Sequence, residues 1–260
     1  MTDSAVTYGV SFVDVDYDND LDIFTTNIAR TDRNMLYLND GRGRFTKADL
    51  AISQKSDRPS KGHTWGDFNN DGYLDLFVAN GTMNVTKEKI RNMLYFGKRK
   101  GDFSEVKDWV ITKTEGTSAG TAWADFDRDG DLDIYISNWA DNNEDNEFFR
   151  NDLFPNRNWI ELQLRGSKSN RMGLGCWIRI KVKHADGSSF WQTRYMSDNT
   201  GYSSQNEPIV HFGLDQNKSI DILEVHWPSG IVDRFKNLAA NQFYNVEEGG
   251  SIRPFNLDLK

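Results

Sequence analysis

The sequence predicts an all-β protein: a partial β-propeller of three blades followed by a β-sandwich-like C-terminal domain. Three observations carry that prediction. An aspartate-rich motif recurs three times, its first aspartates Asp14, Asp67 and Asp125 standing 53 and 58 residues apart. Between the copies, short apolar runs alternate with Gly, Asn and Asp clusters, and helical periodicity is weak. Beyond residue 150 the strands lengthen, and the net charge moves from −9 over residues 1–150 to +1 over 151–260.

Composition narrows the class further. The chain has 260 residues with 13% aromatics, enough for one large domain or two ordinary ones with real cores. A net charge of −8 argues against a nucleic-acid backbone as partner. The single cysteine, Cys176, rules out an internal disulfide, and its place before an alternating apolar run reads as a small buried side chain. No apolar run approaches the roughly 18 residues of a membrane span. The start, MTDSAVTYGV, lacks the layout of a signal peptide, so the expectation is a cytoplasmic chain or the C-terminal part of a longer one.

The three units read in register. "SFVDVDYDNDLDIFTTN" from Ser11, "TWGDFNNDGYLDLFVAN" from Thr64 and "AWADFDRDGDLDIYISN" from Ala122 are each followed by a second shared element. Those elements are "NMLYLNDGRGRF" from Asn34, "NMLYFGKRKGDF" from Asn92 and "NEFFRND" from Asn146. Matching elements in order at a fixed period mark a structural repeat. Four short strands per unit of 50–60 residues suggest propeller blades, placed at about 8–60, 61–118 and 119–153 within a region 1–153. The third unit lacks a recognisable fourth strand.

Each motif has the form D-x-[DN]-x-D-[GN]-x-L-D. Positions 1, 3, 5 and 9 are Asp14, Asp16, Asp18 and Asp22; then Asp67, Asn69, Asp71 and Asp75; then Asp125, Asp127, Asp129 and Asp133. Alternate oxygens on a tight turn converge on a hard cation, and Gly72 and Gly130 permit the bend at position 6. Asn19 holds that place in the first copy, because Asn also visits the left-handed region. An EF-hand would need a Glu at position 12 and flanking helices; Thr25, Val78 and Ile136 stand there instead. Three aligned copies favour up to three Ca²⁺ over a set of solvated Asp turns. Mg²⁺, which sheds water reluctantly, fits less well.

Residues 8–151 are similar to the FG-GAP/VCBS repeats of integrin-α-like β-propellers. That resemblance implies calcium in a β-hairpin loop, bound by positions 1, 3, 5 and 9 and by the carbonyl of position 7, here Asp20, Tyr73 and Asp131. Their unlike side chains fit a role for the carbonyl alone. The first loop, lacking the turn glycine, is expected to be the loosest. Three units cannot close a propeller ring, so the expectation is that N-terminal blades are missing from this chain or that copies assemble to complete it.

The region 154–253 reads as a β-sandwich of about seven strands, from "WIELQL" through "WIRIKVK", "SFWQTRYM", "IVHFGL", "IDILEVHW" and "IVDRF" to "QFYNV", with a hairpin turn at Asp186–Gly187. The stretches "SNRMGLGCWIRI", "TGYSSQNEPIVHFGL", "EVHWPSG" and "NLAANQFYNVEEG" resemble the ASPIC/UnbV domain of the cartilage acidic protein-like family. The family implies a secreted, periplasmic or surface-exposed calcium-binding protein, with no catalytic residue to carry over.

The function expected is therefore a calcium-binding interaction or adhesion module of the extracellular type, with a protein or glycan ligand the sequence does not name. No Ser elbow, HExxH pair or CxxC spacing is present, and His63, His184, His211 and His226 read as structural. Two alternatives stay open: a calcium-dependent carbohydrate-binding protein, with Trp139 near the third loop, and a calcium-assisted lyase, cyclase or hydrolase. Trp65 and Trp123 share one repeat position and read as core. Arg179, Lys181 and Lys183 line one strand face and read as solvated.

Overall fold

A computed structural model describes residues 4–29, 32–53, 58–82, 89–139, 144–183, 186–198 and 201–255. His184 lies outside them. The first unit forms one antiparallel sheet in the order of the chain, β1 (Thr7–Val13), β2 (Asp22–Asn27), β3 (Met35–Asn39) and β4 (Phe45–Ala48). The second uses β5 (Ser60–Gly66), β6 (Asp75–Asn80), β8 (Met93–Lys98) and β9 (Asp102–Val106). A short ribbon, β7 (Ile90–Arg91) with β10 (Glu115–Gly116), leads to the third unit, β11 (Ser118–Ala124), β12 (Asp133–Asn138) and β13 (Glu147–Phe149). As expected, that last blade has three strands among the described residues.

The blades stand side by side with their first strands β1, β5 and β11 adjoining. One apolar layer, including Val15, Phe24, Leu36, Leu76 and Tyr95, fills the junction of the first two blades. A second layer, including Phe68, Phe77, Leu94, Leu132 and Ile136, fills the next junction. Trp65 packs edge-on to Phe24 with ring centroids 5.5 Å apart, and Trp123 donates its indole N–H to the Trp65 carbonyl at 2.7 Å. The tryptophans are blade-to-blade wedges, in keeping with the core reading.

Among the described residues the C-terminal region holds eight strands rather than seven, in two four-stranded sheets. One contains β17 (Val210–Asp215), β14 (Asn158–Arg165), β20 (Gln242–Glu247) and β21 (Ser251–Pro254) in that order. The other contains β16 (Ser189–Tyr195), β15 (Trp177–Lys183), β18 (Ser219–His226) and β19 (Val232–Ala239). β21 escaped the sequence reading because "SIRP" has one apolar residue facing in, Ile252, which pairs with Val246. β14 and β20 run parallel, the only parallel pair among the described strands. Ile160, Leu162, Leu164, Ile178, Ile180, Phe212 and Leu223 form the core between the sheets, with Cys176 fully buried among them. Burial pushes the Cys176 thiol up to about 12, which keeps it protonated and unreactive.

Alternation alone misplaces the opposite face of β14. Trp159 and Glu161 should face water, yet both are buried. What covers them is the third aspartate loop. The segment 201–209 also reaches into the blades. Tyr202 packs on Tyr8, Asn206 Oδ1 accepts from Thr64 Oγ1 and Trp123 N at 2.9 and 3.0 Å, and Glu207 N donates to Trp123 O. The segment thus touches the first strand of all three blades.

Candidate metal centres

Each loop joins the first two strands of its blade, and the same hydrogen bonds shape all three. The position-1 carboxylate accepts the backbone N–H of positions 5 and 6: Asp14 from Asp18 and Asn19, Asp67 from Asp71 and Gly72, Asp125 from Asp129 and Gly130, all at 2.8–3.2 Å. Position 5 accepts from position 7 in each case, at 3.0–3.1 Å. The position-9 carboxylate is a clamp. One oxygen takes the N–H of position 2 (Val15, Phe68 or Phe126), and the other takes an N–H at the end of the third strand (Asn39 or Gly97) or just past it (Asn151), all at 2.8–3.0 Å. This is why a ninth-position Asp recurs: it ties the loop to its own blade while leaving lone pairs free.

Position 6 has φ of 73°, 96° and 90° at Asn19, Gly72 and Gly130. Position 4 is also left-handed, at Tyr17 (66°), Asn70 (57°) and Arg128 (64°), which the sequence concealed because Tyr and Arg rarely adopt that region. The position-4 side chains then reach the next unit along. The Tyr17 hydroxyl accepts Leu74 N, Asn70 Nδ2 donates to Gly130 O and Asp131 Oδ1, and Arg128 pairs with Glu207 and Glu161 of the C-terminal domain. Asp131 therefore uses its side chain across a blade junction, while Tyr73 packs between Tyr17 and Phe190.

The predicted ligands come together to different degrees. One oxygen each from Asp14, Asp16 and Asp18 lies within 4.8 Å of the others, and so does one each from Asp125, Asp127 and Asp133. Asp127 and Asp129 form another such group with Asp152. Asp152 was missed, although "LND" and "RND" place Asp40 and Asp152 at one repeat position. The second loop brings Asp67, Asn69, Asp71 and Asp75 to equivalent places but is braced by arginines. Arg157 Nη1 donates to Asn69 O and Oδ1 at 2.6 and 3.0 Å and sits 3.9 Å from Asp71, and Arg194 Nη2 sits 3.9 Å from Asp67.

A cation suits these residues on two grounds. Asp16 Oδ1 and Asp20 Oδ1 are buried without a hydrogen-bond partner, in a loop made of acceptors. Burial also pushes Asp14, Asp67 and Asp125 up to about 7, with neighbouring carboxylates (Asp18 and Asp16, Asp71, and Asp129 respectively) adding to the rise. Asp22 and Asp131 are pushed to about 6 by burial, and Asp75 well above its usual range. Carboxylates held this way are ionised at neutral pH only at a cost, which a divalent cation offsets.

Because the folded values lie above the unfolded ones, the metal-free fold binds more protons than the unfolded chain between about pH 4 and 7. Their contribution is fully present below about pH 4 and lost as pH rises through about 7. Metal-free protein should therefore melt at a lower temperature at pH 8 than at pH 5.5, and saturating Ca²⁺ should shrink or reverse the difference. Scanning calorimetry at the two pH values checks this.

The loops are also the seat of the C-terminal domain. Gly213 N donates to Asp67 Oδ2, Asp215 N to Asn70 O, His211 Nε2 to Gly130 O, and Thr193 Oγ1 to Asn19 Oδ1, all at 2.9–3.1 Å. Burial holds His211 neutral, lowering it to about 3, and His63 likewise. A cavity of about 130 Å³ remains between the blades and this domain, lined by Asp14, Asp67, Trp65, Trp123, Arg194 and His211 among others.

Tandem blades with an aspartate loop apiece, capped by a β-sandwich, define the class as a β-repeat protein with a C-terminal sandwich domain. The FG-GAP-like repeat model matches residues 14–78 and 82–136, and the ASPIC and UnbV model matches 166–253. The chain belongs to the proteins that join FG-GAP-like repeats to a C-terminal ASPIC and UnbV domain. It is similar to cartilage acidic protein 1 of Homo sapiens, 28% identical over 246 residues, covering 92% of this chain and 35% of that protein. The Xenopus tropicalis protein of the same name is 28% identical over 228 residues (85% and 34% covered), and the Mus musculus one 26% over 226 (85% and 34%). The chain spans about a third of the length of these curated relatives. Among the described residues no helix is long and apolar enough to cross a membrane.

Proposed function

We propose that the chain is a calcium-stabilised interaction or adhesion module of the extracellular type, with Ca²⁺ held in the aspartate loops. The observation that carries this reading is the repeated loop: three copies share one hydrogen-bonded turn that presents buried carboxylates. Asp14, Asp16, Asp18 and Asp22 would hold one ion, Asp125, Asp127, Asp129 and Asp133 a second, and Asp67, Asn69, Asp71 and Asp75 a third. The position-7 carbonyls of Asp20, Tyr73 and Asp131 complete each set. The cation supplies charge neutralisation and cross-links each turn. The chain's own residues set the turn, exclude water and couple it to the C-terminal domain.

The kinship with cartilage acidic protein 1 supports placing the protein outside the cytoplasm. In the carbohydrate reading Trp139 would offer a single face, because the Lys61 ammonium lies 5.0 Å from the centroid of its ring and covers the other. Titration by calorimetry tests the proposal. Wild-type protein should bind two to three Ca²⁺, and Asp125→Ala/Asp129→Ala should bind one fewer while keeping its strand signal in circular dichroism. Equal stoichiometry in the two proteins would overturn the assignment of the third loop. The second loop, with Asn69 in place of an Asp and two arginines beside it, should be the weakest of the three, in place of the first loop that the missing turn glycine singled out, because Thr193 Oγ1 holds the Asn19 side chain there.

A further inference from the structure

We propose that the outer face of the C-terminal sheet β16–β15–β18–β19 is a binding surface for an acidic polysaccharide, a linear chain carrying carboxylates or sulfates. The sheet order places β16 against the aspartate loops, where Phe190 stacks on Tyr73 and Thr193 meets Asn19. The strands β15, β18 and β19 follow at increasing distance from those loops. Every residue of the proposed surface belongs to this one sheet, all of it inside the segment 166–253 matched by the ASPIC and UnbV model. No blade contributes to it.

The register draws two rows of cations along these strands. Lys181 and Lys236 stand on either side of Ile222, and Arg179 and Arg234 on either side of Glu224. Lys183 continues the β15 row two residues on. Strands two apart in a sheet are separated by about 10 Å, so β18 forms the floor of a shallow track with cations along both sides. Against these five cations β18 sets Asp221 and Glu224, while Asp233 of β19 turns inward to accept the Trp227 indole N–H. On a chain of net charge −8, such a concentration of positive charge draws an anion to one place.

A merely solvated strand face would leave its cations unsupported, and here the guanidinium groups are held in place. Arg179 Nε donates to Glu224 Oε2 at 2.6 Å, and its guanidinium lies 4.6 Å from the centroid of the Trp191 ring. Arg234 Nη2 lies 3.1 Å from Glu224 Oε1. Glu224 is buried and needs one cation, yet two arginines share it, with His226 Nε2 3.4 Å away. Among the described residues Lys181, Lys183 and Lys236 make no ion pair. Guanidinium groups fixed beforehand lose little freedom when an anion arrives, and the unpaired lysines supply the remaining charge.

The shape of the surface selects the class of anion. A small anion is held in an enclosed pocket, whereas this track is an open sheet face with the part-buried rings of Trp177 and Trp191 beside the cations. An acidic polysaccharide offers anionic groups at a regular interval and apolar C–H faces between them, which suit the cation rows and the flat rings respectively. A bilayer would call for a large apolar face to insert, and between the rows only Ile222 is apolar. The proposal gives the interaction module a ligand class and rests on that reading, but it uses no residue of the cation loops. Failure of the calcium titration and failure of the binding test below are therefore separate results.

Biolayer interferometry on immobilised dextran sulfate and polygalacturonate tests the surface, with neutral dextran, poly-glutamate and phosphatidylserine vesicles for comparison. The full chain should bind at least one of the two acidic polysaccharides and not neutral dextran, with an affinity that falls as NaCl is raised. Lys181→Ala/Lys236→Ala should weaken that binding by about tenfold. Lys107→Ala/Lys113→Ala, which removes the same charge from exposed positions outside this sheet, should leave it unchanged. If the first pair lowers the melting transition, Lys183→Glu on its exposed side chain should give the same loss of binding without that change. Binding to neither acidic polysaccharide overturns the proposal, as does an equal loss in the two lysine pairs. Tighter binding to poly-glutamate or to the vesicles overturns it too, and assigns the face to an acidic protein or a membrane.

Discussion

Removing calcium should lower the melting temperature of this chain by about 10–15 °C. The estimate rests on linkage. A site of extracellular-type affinity, with Kd on the order of 10⁻⁴ M, in about 1–2 mM Ca²⁺ adds roughly 1.5 kcal/mol. Three sites would supply about 4–5 kcal/mol, a large share of a domain's net stability. The loops give the molecular reason. Without a cation, each turn gathers carboxylates that burial and mutual repulsion push toward protonation, with Asp14, Asp67 and Asp125 near 7. Calorimetry in EGTA against 2 mM Ca²⁺ reads the effect, and a superimposable pair of curves would sink the structural role of calcium. The C-terminal domain should respond along with the blades, because Gly213, Asp215, His211 and Thr193 all bond to the loops.

Gly130→Ala should destabilise the protein by about 2–5 kcal/mol, for two separable reasons. The backbone there has φ of 90°, which costs a residue with a Cβ about 1–2 kcal/mol. A Cβ would also overlap the indole of Trp159, which lies against the turn, adding the penalty of an overpacked contact. Gly187→Ala is the control: its φ is 81°, yet nothing lies within 4 Å of the added carbon, so it should lose only the conformational part. Gly130→Asn separates the two further, since Asn19 occupies the same loop position at φ 73°. If Gly130→Asn melts like the wild type, the Trp159 contact does not hold the domains together.

The three residues at loop position 6 illustrate how far a sequence can be read. Glycine there predicts a left-handed turn, and Asn19 in the first copy is compatible with one. Why Asn appears in one copy and Gly in the others is a tertiary matter. Thr193 Oγ1 meets the Asn19 side chain, whereas a Cβ on Gly72 would meet Gln192 and one on Gly130 would meet Trp159. The C-terminal domain chooses the residue, and nothing local reveals it. Arg157 and Arg194 were invisible for the same reason: they lie more than 80 residues from the second loop and reach it only through docking.

What the sequence determined by itself is periodic and local. Alternating apolar residues set the strands, and the spacing of Asp, Asn and Gly set three turns of one form, with carboxylates of the first and third drawn together, because a tight turn fixes its own side-chain directions. The tertiary structure alone decided which exposed-looking faces are covered. Glu161 and Trp159 on the polar side of β14 are buried by the third loop, while Phe12 and Phe126 are left half-exposed or more. Burial depends on what packs from far along the chain or from another one, and short-range periodicity carries no information about that partner.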